Sequence, residues 1–282
     1  MKRFIILVLL LPTIVHAQWH ANLFGGISNY SGDLQNKMFT TDQSYGAIGA
    51  SLQYDLTGHL SVLSGFNYGH VGAADKYNKP DLQARNLSFQ SNIFEWNVMA
   101  EYNIFDISEK RFTPYVFAGI ATFHFNPYAY DTLGRKVYLK PLSTEGEGLP
   151  QYPDSKPYSL TQFAIPFGAG IKFRITDNVT LAYEVGFRKL FTDYLDDVSN
   201  RYVDQTILLN AKGPEAVEMA YRGNEVKNGS QTYPVAGTVR GDPKSKDWYY
   251  FSGIRVSVAI NNPNHNMTTY RKGVIDCPKK VI

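Results

Sequence analysis

Apolar and polar residues alternate along eight segments of this chain. Alternation with a period of two is the pattern of a β-strand, whose side chains point to opposite faces of a sheet. The clearest segment is 162–175, where Phe163 and Ile165 fall on one face and Lys172 and Arg174 on the other. The pattern therefore predicts a sheet with one apolar and one polar face. The eight segments cover residues 19–30, 45–55, 59–71, 94–104, 112–125, 162–175, 180–188 and 248–260.

The connections between these segments are sorted by length. The tight connections are Gln53–Leu60, Tyr102–Pro114 and Arg174–Leu181. The long connections are Gly32–Ser44, Val71–Leu87, Pro127–Tyr158 and Leu195–Asp247. Tight turns at one end and long loops at the other are typical of an outer-membrane barrel, whose short turns face the periplasm. We therefore predict an all-β fold, an eight-stranded antiparallel up-and-down transmembrane β-barrel with long extracellular loops and short periplasmic turns.

The first 17 residues have the composition of a secretory signal peptide. Lys2 and Arg3 supply its charged start, and Phe4–Val15 supplies an apolar run before small residues that suit a cleavage site. This run is too short for a membrane-spanning helix, which needs about 20 apolar residues. We expect a signal peptide over 1–17, the barrel with its extracellular loops over 18–260 and a periplasmic tail over 261–282.

Alternation alone leaves open which face of the sheet lines the interior, because a soluble barrel would turn its apolar face inward. Two features favour the inverse arrangement: aromatic residues cluster near the segment ends, as in membrane girdles, and the polar faces carry charges of both signs. Eight strands enclose an interior that side chains can fill, and buried charges are costly unless they pair. We predict a packed ion-pair network, with a conducting or proton path as the alternative. The predicted lumen network comprises Glu95, Glu101, Lys172, Arg174, Glu184, Arg188 and Arg255.

The residues that carry chemistry give little sign of an active site. A net charge of +3 is too weak to indicate nucleic-acid binding. The predicted barrel is expected to be surrounded by the lipids of the outer membrane. The histidines are scattered without metal-ligand spacing. His124, near the outer end of its segment, is the best candidate for catalysis, but no serine or aspartate partner is spaced to match it. We therefore expect no metal, no other cofactor and no enzymatic activity.

Three carboxylates, Asp193, Asp196 and Asp197, lie within five residues after the seventh segment. Oxygen-rich clusters of this kind can bind Ca²⁺, but the spacing fits no defined calcium loop. We expect an acidic rim exposed to solvent, or aspartates that cap turns and pair with Arg222 or Arg240.

Cys277 is the only cysteine, so it has no partner within the chain. An unpaired cysteine in an exported protein indicates either intermolecular pairing or a free thiol. Cys277 follows the eighth segment, which the predicted topology places in the oxidising periplasm. The tail is then either a docking element or a disordered end.

Five short stretches of the chain form a recognisable set. They are Asn29–Leu34, Thr113–Gly119, Pro141–Gly146, Phe191–Ser199 and the pair Cys277–Pro278, of which the third and fourth are the most specific. Together they resemble a family of outer-membrane barrels of the Bacteroidota whose known member is PorG of the type IX secretion system. The resemblance covers nearly the whole chain after the signal peptide.

This resemblance implies a structural role. PorG-like barrels associate with periplasmic rings, built from the lipoprotein PorK and its partner PorN, that serve protein export and in some species gliding motility. The chain would then anchor or scaffold a PorK-like and PorN-like ring, and Cys277 would form a disulfide with the ring lipoprotein. Two other functions stay open. One is a general structural or adhesin-like barrel that works through its extracellular loops, and the other is an outer-membrane enzyme with a loop-borne site.

Overall fold

The computed structural model describes residues 18–35, 37, 40–107, 109–227 and 229–260. The predicted signal peptide, the predicted tail and Cys277 lie outside these residues. Long strands dominate the described part of the chain, and a short hairpin, β6–β7, lies in one loop. In chain order the strands are β1 (Gln18–Ser31), β2 (Tyr45–Asp55), β3 (Leu60–Ala74), β4 (Ser88–Asn103), β5 (Phe112–His124), β6 (Tyr128–Tyr130), β7 (Lys136–Tyr138), β8 (Thr161–Arg174), β9 (Val179–Leu190) and β10 (Trp248–Ala259).

The eight long strands form one antiparallel sheet that closes on itself. Hydrogen-bonded neighbours run in the order β3-β2-β1-β10-β9-β8-β5-β4, and β3 also pairs with β4. The closing register matches Leu60 with Tyr102 at one end and Ala74 with Ser88 at the other. The first and last strands pair from His20 opposite Ala259 onward. The predicted eight-stranded antiparallel barrel is therefore confirmed.

The apolar face of the sheet points outward and the polar face inward. Phe163 on β8 is 72% exposed and Leu23 on β1 is 68% exposed, whereas Glu95 on β4 is fully buried. In water this arrangement would expose a continuous apolar band and bury charge, which is the reverse of a soluble barrel. In a bilayer the same band faces lipid, and the closed sheet leaves no strand edge without hydrogen bonds. The barrel is thus built to span a membrane.

The connections divide between the two ends of the barrel as the sequence predicts. Residues 56–59, 104–111 and 175–178 connect the strands at one end. Residues 32–44, 75–87, 125–160 and 191–247 connect them at the other end, and these four loops are called the cap. The strands also run further toward the cap than the alternation indicates, since β3 continues to Ala74 and β4 starts at Ser88. At that end the cap covers both faces of the strand. Val71, Gly72 and Ala73 are therefore all buried, and burial no longer alternates from one residue to the next.

The cap has a hydrophobic core of its own. Leu195, Leu208 and Ala216 are fully buried in it and pack with residues at the outer ends of the strands, such as Phe89 and Tyr249. Its short helices are α1 (Pro80–Gln83), α2 (Gln205–Lys212) and α3 (Pro214–Ala220), with 3₁₀ turns at Asp75–Tyr77, Lys140–Leu142 and Gly223–Glu225. No helix in the described residues is both long and apolar enough to cross a membrane.

Asp204 begins α2. Its carboxylate accepts hydrogen bonds from the backbone N–H groups of Thr206 and Ile207 at 2.9 and 3.0 Å. This is the usual role of an aspartate at a helix N-cap, where the first N–H groups have no partner within the helix.

Candidate functional site

Glu95 is the centre of the lumen cluster nearer the cap. Arg188 on β9 donates to it from Nε at 2.9 Å and from Nη2 at 3.1 Å, so the pair is bidentate. The Tyr249 hydroxyl donates to the same carboxylate at 2.7 Å, and the Asn67 and Asn97 side-chain amides each donate at 2.8 Å. A carboxylate with this many donors is fully satisfied although its side chain is fully buried.

Glu101 is the centre of a second cluster nearer the short turns. It is hydrogen-bonded and ion-paired with both Lys172 on β8 and Arg255 on β10. Nε of Arg255 also lies 3.4 Å from Oε2 of Glu184, which accepts the Tyr115 hydroxyl at 2.6 Å. Strands from opposite sides of the barrel thus meet across its axis through charged groups.

All of the predicted lumen residues except Arg174 belong to these two clusters. Arg174 is the last residue of β8 at the short-turn end, where it is half-buried and its backbone N–H donates to the Arg111 carbonyl at 2.8 Å. Between the clusters lies a cavity of about 20 Å³, lined in part by Asn97, Glu184 and Arg255. That volume holds about one water molecule. The described lumen is therefore a packed polar core.

The three aspartates after β9 do not form a rim exposed to solvent, which corrects the first of the two expectations for them. Asp193, Asp196 and Asp197 are only 2%, 1% and 0% exposed. They lie inside the cap, where Asp193 accepts the Ser199 hydroxyl and Asp197 accepts the Thr144 hydroxyl. Composition cannot reveal this placement. Asp196 accepts from the Val198 backbone N–H at 2.9 Å, so the turn-capping expectation describes it better.

Asp196 and Asp247 share one hydroxyl group. Tyr30 Oη lies 2.6 Å from Asp196 Oδ2 and 2.9 Å from Asp247 Oδ1. Burial raises the pKa of both carboxyls well above the usual range, and for Asp196 the charge of Asp247 raises it further. One hydroxyl hydrogen cannot satisfy two carboxylates, so the raised pKa values accord with a proton retained by this pair.

The cap also unites the two most specific sequence motifs. In Pro141–Gly146, Thr144 donates its hydroxyl hydrogen to Asp197 at 2.6 Å, and Glu145 accepts from the Ser199 backbone N–H at 3.0 Å. Arg240 donates to Glu145 at 2.9 Å and to the Asp197 carbonyl at 2.6 Å. Arg240 thus pairs with the glutamate rather than with an aspartate side chain.

Arg222, the other expected partner of the aspartates, pairs instead with Glu225, three residues further along the chain. Glu145 and Tyr30 were not among the predicted site residues, since neither stands in a charged run. Each lies within one of the sequence motifs, but a motif does not indicate which residue its members contact.

A larger cavity of about 490 Å³ opens in the cap where loops 32–44, 75–87 and 191–247 meet. Arg85 and Arg240 line it, as do the aspartates Asp33, Asp81 and Asp242. No group of three or more histidine, cysteine, aspartate or glutamate side chains in the described residues is arranged to bind a metal ion. His124 lies with Nδ1 3.1 Å from the Thr161 hydroxyl on the exposed barrel wall.

Residues 2–210 match the protein family described as "Domain of unknown function (DUF6089)". The chain belongs to the DUF6089 family. The match spans β1 to β9 and both cap motifs, and it ends before Arg240, Tyr249 and Arg255. No curated protein matches the chain.

Several solved structures of bacterial membrane barrels are similar to this DUF6089 protein. Neisserial surface protein A has 11% identity and a TM-score of 0.43, covering 86% of this chain and 99% of its own. A major outer membrane protein from Thermus thermophilus has 12% identity and a TM-score of 0.42, covering 87% and 100%. Ail, the attachment invasion locus protein of Yersinia pestis, has 9% identity and a TM-score of 0.39, covering 86% and 99%.

Proposed function

We propose that this DUF6089 protein is a non-enzymatic, non-conducting barrel of the bacterial outer membrane that anchors a protein assembly. Its main support is the filled lumen, in which Arg188 holds Glu95 and both Lys172 and Arg255 hold Glu101. A lumen crossed by ion pairs offers no route for an exported protein. The same pairs tie strands together across the axis, which suits a rigid anchor.

The finer proposal is that the anchored assembly is a periplasmic ring of a type IX secretion system, formed by a PorK-like lipoprotein and a PorN-like partner. The sequence resemblance supports it, above all the stretches 141–146 and 191–199. In the proposed orientation the cap is extracellular, and both termini and the short turns are periplasmic. The turns and residues 261–282 are then the surfaces for the ring, and a disulfide from Cys277 would secure it.

Affinity purification of the full chain from membranes in a mild detergent tests the anchor directly. The expected result is co-purification of a lipoprotein and a soluble periplasmic protein. A charge reversal at Asp177, exposed in the β8–β9 turn, should lower their yield, while a matched substitution of the exposed Arg135 in the cap should not. Recovery of the barrel alone, or a loss caused only by the cap variant, would exclude the periplasmic anchor.

A second function, adhesion or ligand binding by the cap, is favoured by a different observation. The cap has its own core and a cavity of about 490 Å³, which is more structure than simple connections require. This function depends on the extracellular face, so it predicts the opposite outcome for the two variants. Cap substitutions would abolish it, and Asp177→Arg would leave it intact.

A further inference from the structure

The cap cavity has the size of a small-molecule site. Its volume of about 490 Å³ lies within the range of about 300–1,000 Å³ that such sites occupy. Tyr202 and Arg240 form part of its buried lining, whereas Asp81, Val239 and Asp242 are exposed to solvent. Its full lining comes from three separate loops, since loop 32–44 adds Gly32 and Asp33, so the cavity exists only in the folded cap.

The charges around the cavity disfavour an anionic ligand. Nε and Nη2 of Arg85 each donate to Asp75 at 2.7 Å, and Arg240 donates to Glu145 at 2.9 Å. Neither of these carboxylates lines the cavity, so the positive charge is already neutralised from behind. Three aspartates line the cavity beside these paired guanidinium groups: Asp33, Asp81 and Asp242. The Asp33 carboxylate accepts the backbone N–H of Asp242 at 3.1 Å from each oxygen, and the charge of Arg85 also stabilises it.

Tyr202 supplies a hydroxyl that lacks a partner. The residue is only 4% exposed, it lines the cavity, and its hydroxyl makes no hydrogen bond within the described residues. Its ring is held edge-on by Tyr221 at 6.0 Å and by Tyr233 at 5.8 Å between centroids. Burial raises the pKa of Tyr202, so the group is a neutral donor. A ligand in the cavity can therefore accept a hydrogen bond from the Tyr202 hydroxyl without breaking one within the protein.

We propose that this cavity binds a neutral saccharide. Sugar hydroxyls both donate and accept, so they match the lining acceptors Asp33 and Asp242 together with the donor Tyr202. The apolar C–H faces of a sugar ring would contact Tyr221 and Leu82, which also line the cavity. An anion would meet three carboxylates and find both guanidinium groups already paired. No group of three or more carboxylates in the described residues is arranged to bind a metal ion.

The test is saturation-transfer NMR on the purified full chain in a detergent without a sugar headgroup. The probes are the methyl glycosides of glucose, galactose, mannose and N-acetylglucosamine, with inorganic phosphate as the anionic probe. At least one glycoside should bind, and Tyr202→Phe, which keeps the ring, should weaken its binding about tenfold. Tyr233→Phe is the matched control, because Tyr233 belongs to the same ring cluster but does not line the cavity.

Three results would overturn the proposal: no glycoside binds, phosphate binds in preference to the glycosides, or Tyr202→Phe binds as well as the unchanged protein. Folding of each variant is checked by the heat-induced shift of the barrel in electrophoresis. Should Tyr202→Phe fail to fold, Val239→Trp replaces it, since Val239 is exposed and lines the cavity. The added indole should fill the opening and abolish binding, and unchanged binding in that variant would equally contradict the site.

Discussion

Thr144 donates a hydrogen bond of 2.6 Å to Asp197 across 53 residues of chain. This bond joins loop 125–160 to loop 191–247 inside the cap, where both residues are fully buried. Asp197 adopts a left-handed backbone conformation, with φ of 65°, and also accepts the Tyr158 hydroxyl at 2.7 Å. The carboxylate thus joins the two loops, in addition to the bond from the Ser199 backbone N–H to Glu145.

Thr144→Val should loosen the cap. The substitution keeps the shape of the side chain but leaves one oxygen of a buried carboxylate without its donor, which costs about 1–3 kcal/mol. The free energy of unfolding in urea, followed in detergent, measures the loss. Thr132→Val is the control, because the Thr132 hydroxyl bonds Glu218 at the exposed surface. An equal effect of both substitutions would contradict the role of the buried bond.

Arg188→Met should destabilise the barrel by about 3–5 kcal/mol, because it leaves the buried Glu95 charged and without its ion-pair partner. The double variant Glu95→Gln with Arg188→Met should recover most of that loss, since no buried charge then remains. Urea unfolding of the three proteins gives the coupling energy. If the double variant is less stable than Arg188→Met alone, the cost does not arise from an unpaired charge.

The unchanged protein should show no steady conductance in a planar bilayer. The ion pairs of Glu95 and Glu101 cross the lumen, and the described cavity between them has a volume of only about 20 Å³. A porin, whose wider barrel leaves an aqueous channel, serves as the positive control. A stable open state in the unchanged protein would refute the packed lumen.

The orientation in the membrane can be tested with short epitope tags. A tag inserted at Gly134, in the exposed turn between β6 and β7, should be stained by antibody on intact cells. A tag at Asp177, in the turn between β8 and β9, should be stained only after the outer membrane is permeabilised. The reverse pattern would place the cap in the periplasm and exclude the proposed topology.

The stability of the cap should fall as the pH rises from about 4 to about 7. Burial raises the pKa of Asp193 to about 7, whereas an unfolded aspartate titrates near about 3.9. The folded state therefore binds the proton more tightly. The contribution of Asp193 is fully present below the unfolded pKa and is lost as the pH approaches the folded one.

Asp193→Asn should flatten this part of the pH dependence, because the amide does not titrate. Unfolding in urea at pH 5 and pH 8 measures the change, with Asp177→Asn at an exposed turn as the control. An unchanged slope in Asp193→Asn would show that Asp193 carries no proton in the folded cap.

The sequence alone determines the barrel because its signal is local. A period of two along residues 162–175 places Phe163 and Lys172 on opposite faces whatever the rest of the chain does. The count of such segments and the sorting of their connections then lead to a closed sheet with its charges inside. The prediction weakens under the cap, where both faces of Val71–Ala73 are buried and the alternation disappears.

Only the tertiary structure decides which charges pair. Arg188 pairs with Glu95 and Arg255 pairs with Glu101. Both pairs depend on the register and closure of strands that are distant in sequence. In the cap, Arg240 reaches Glu145 across 95 residues, and no periodicity links two loops of that kind. The burial of Asp193, Asp196 and Asp197 is likewise decided by the tertiary structure. Their composition predicts exposure to solvent, but the folded loops bury them. Exposure and pairing depend on which segment covers a residue, and that is a property of the closed fold.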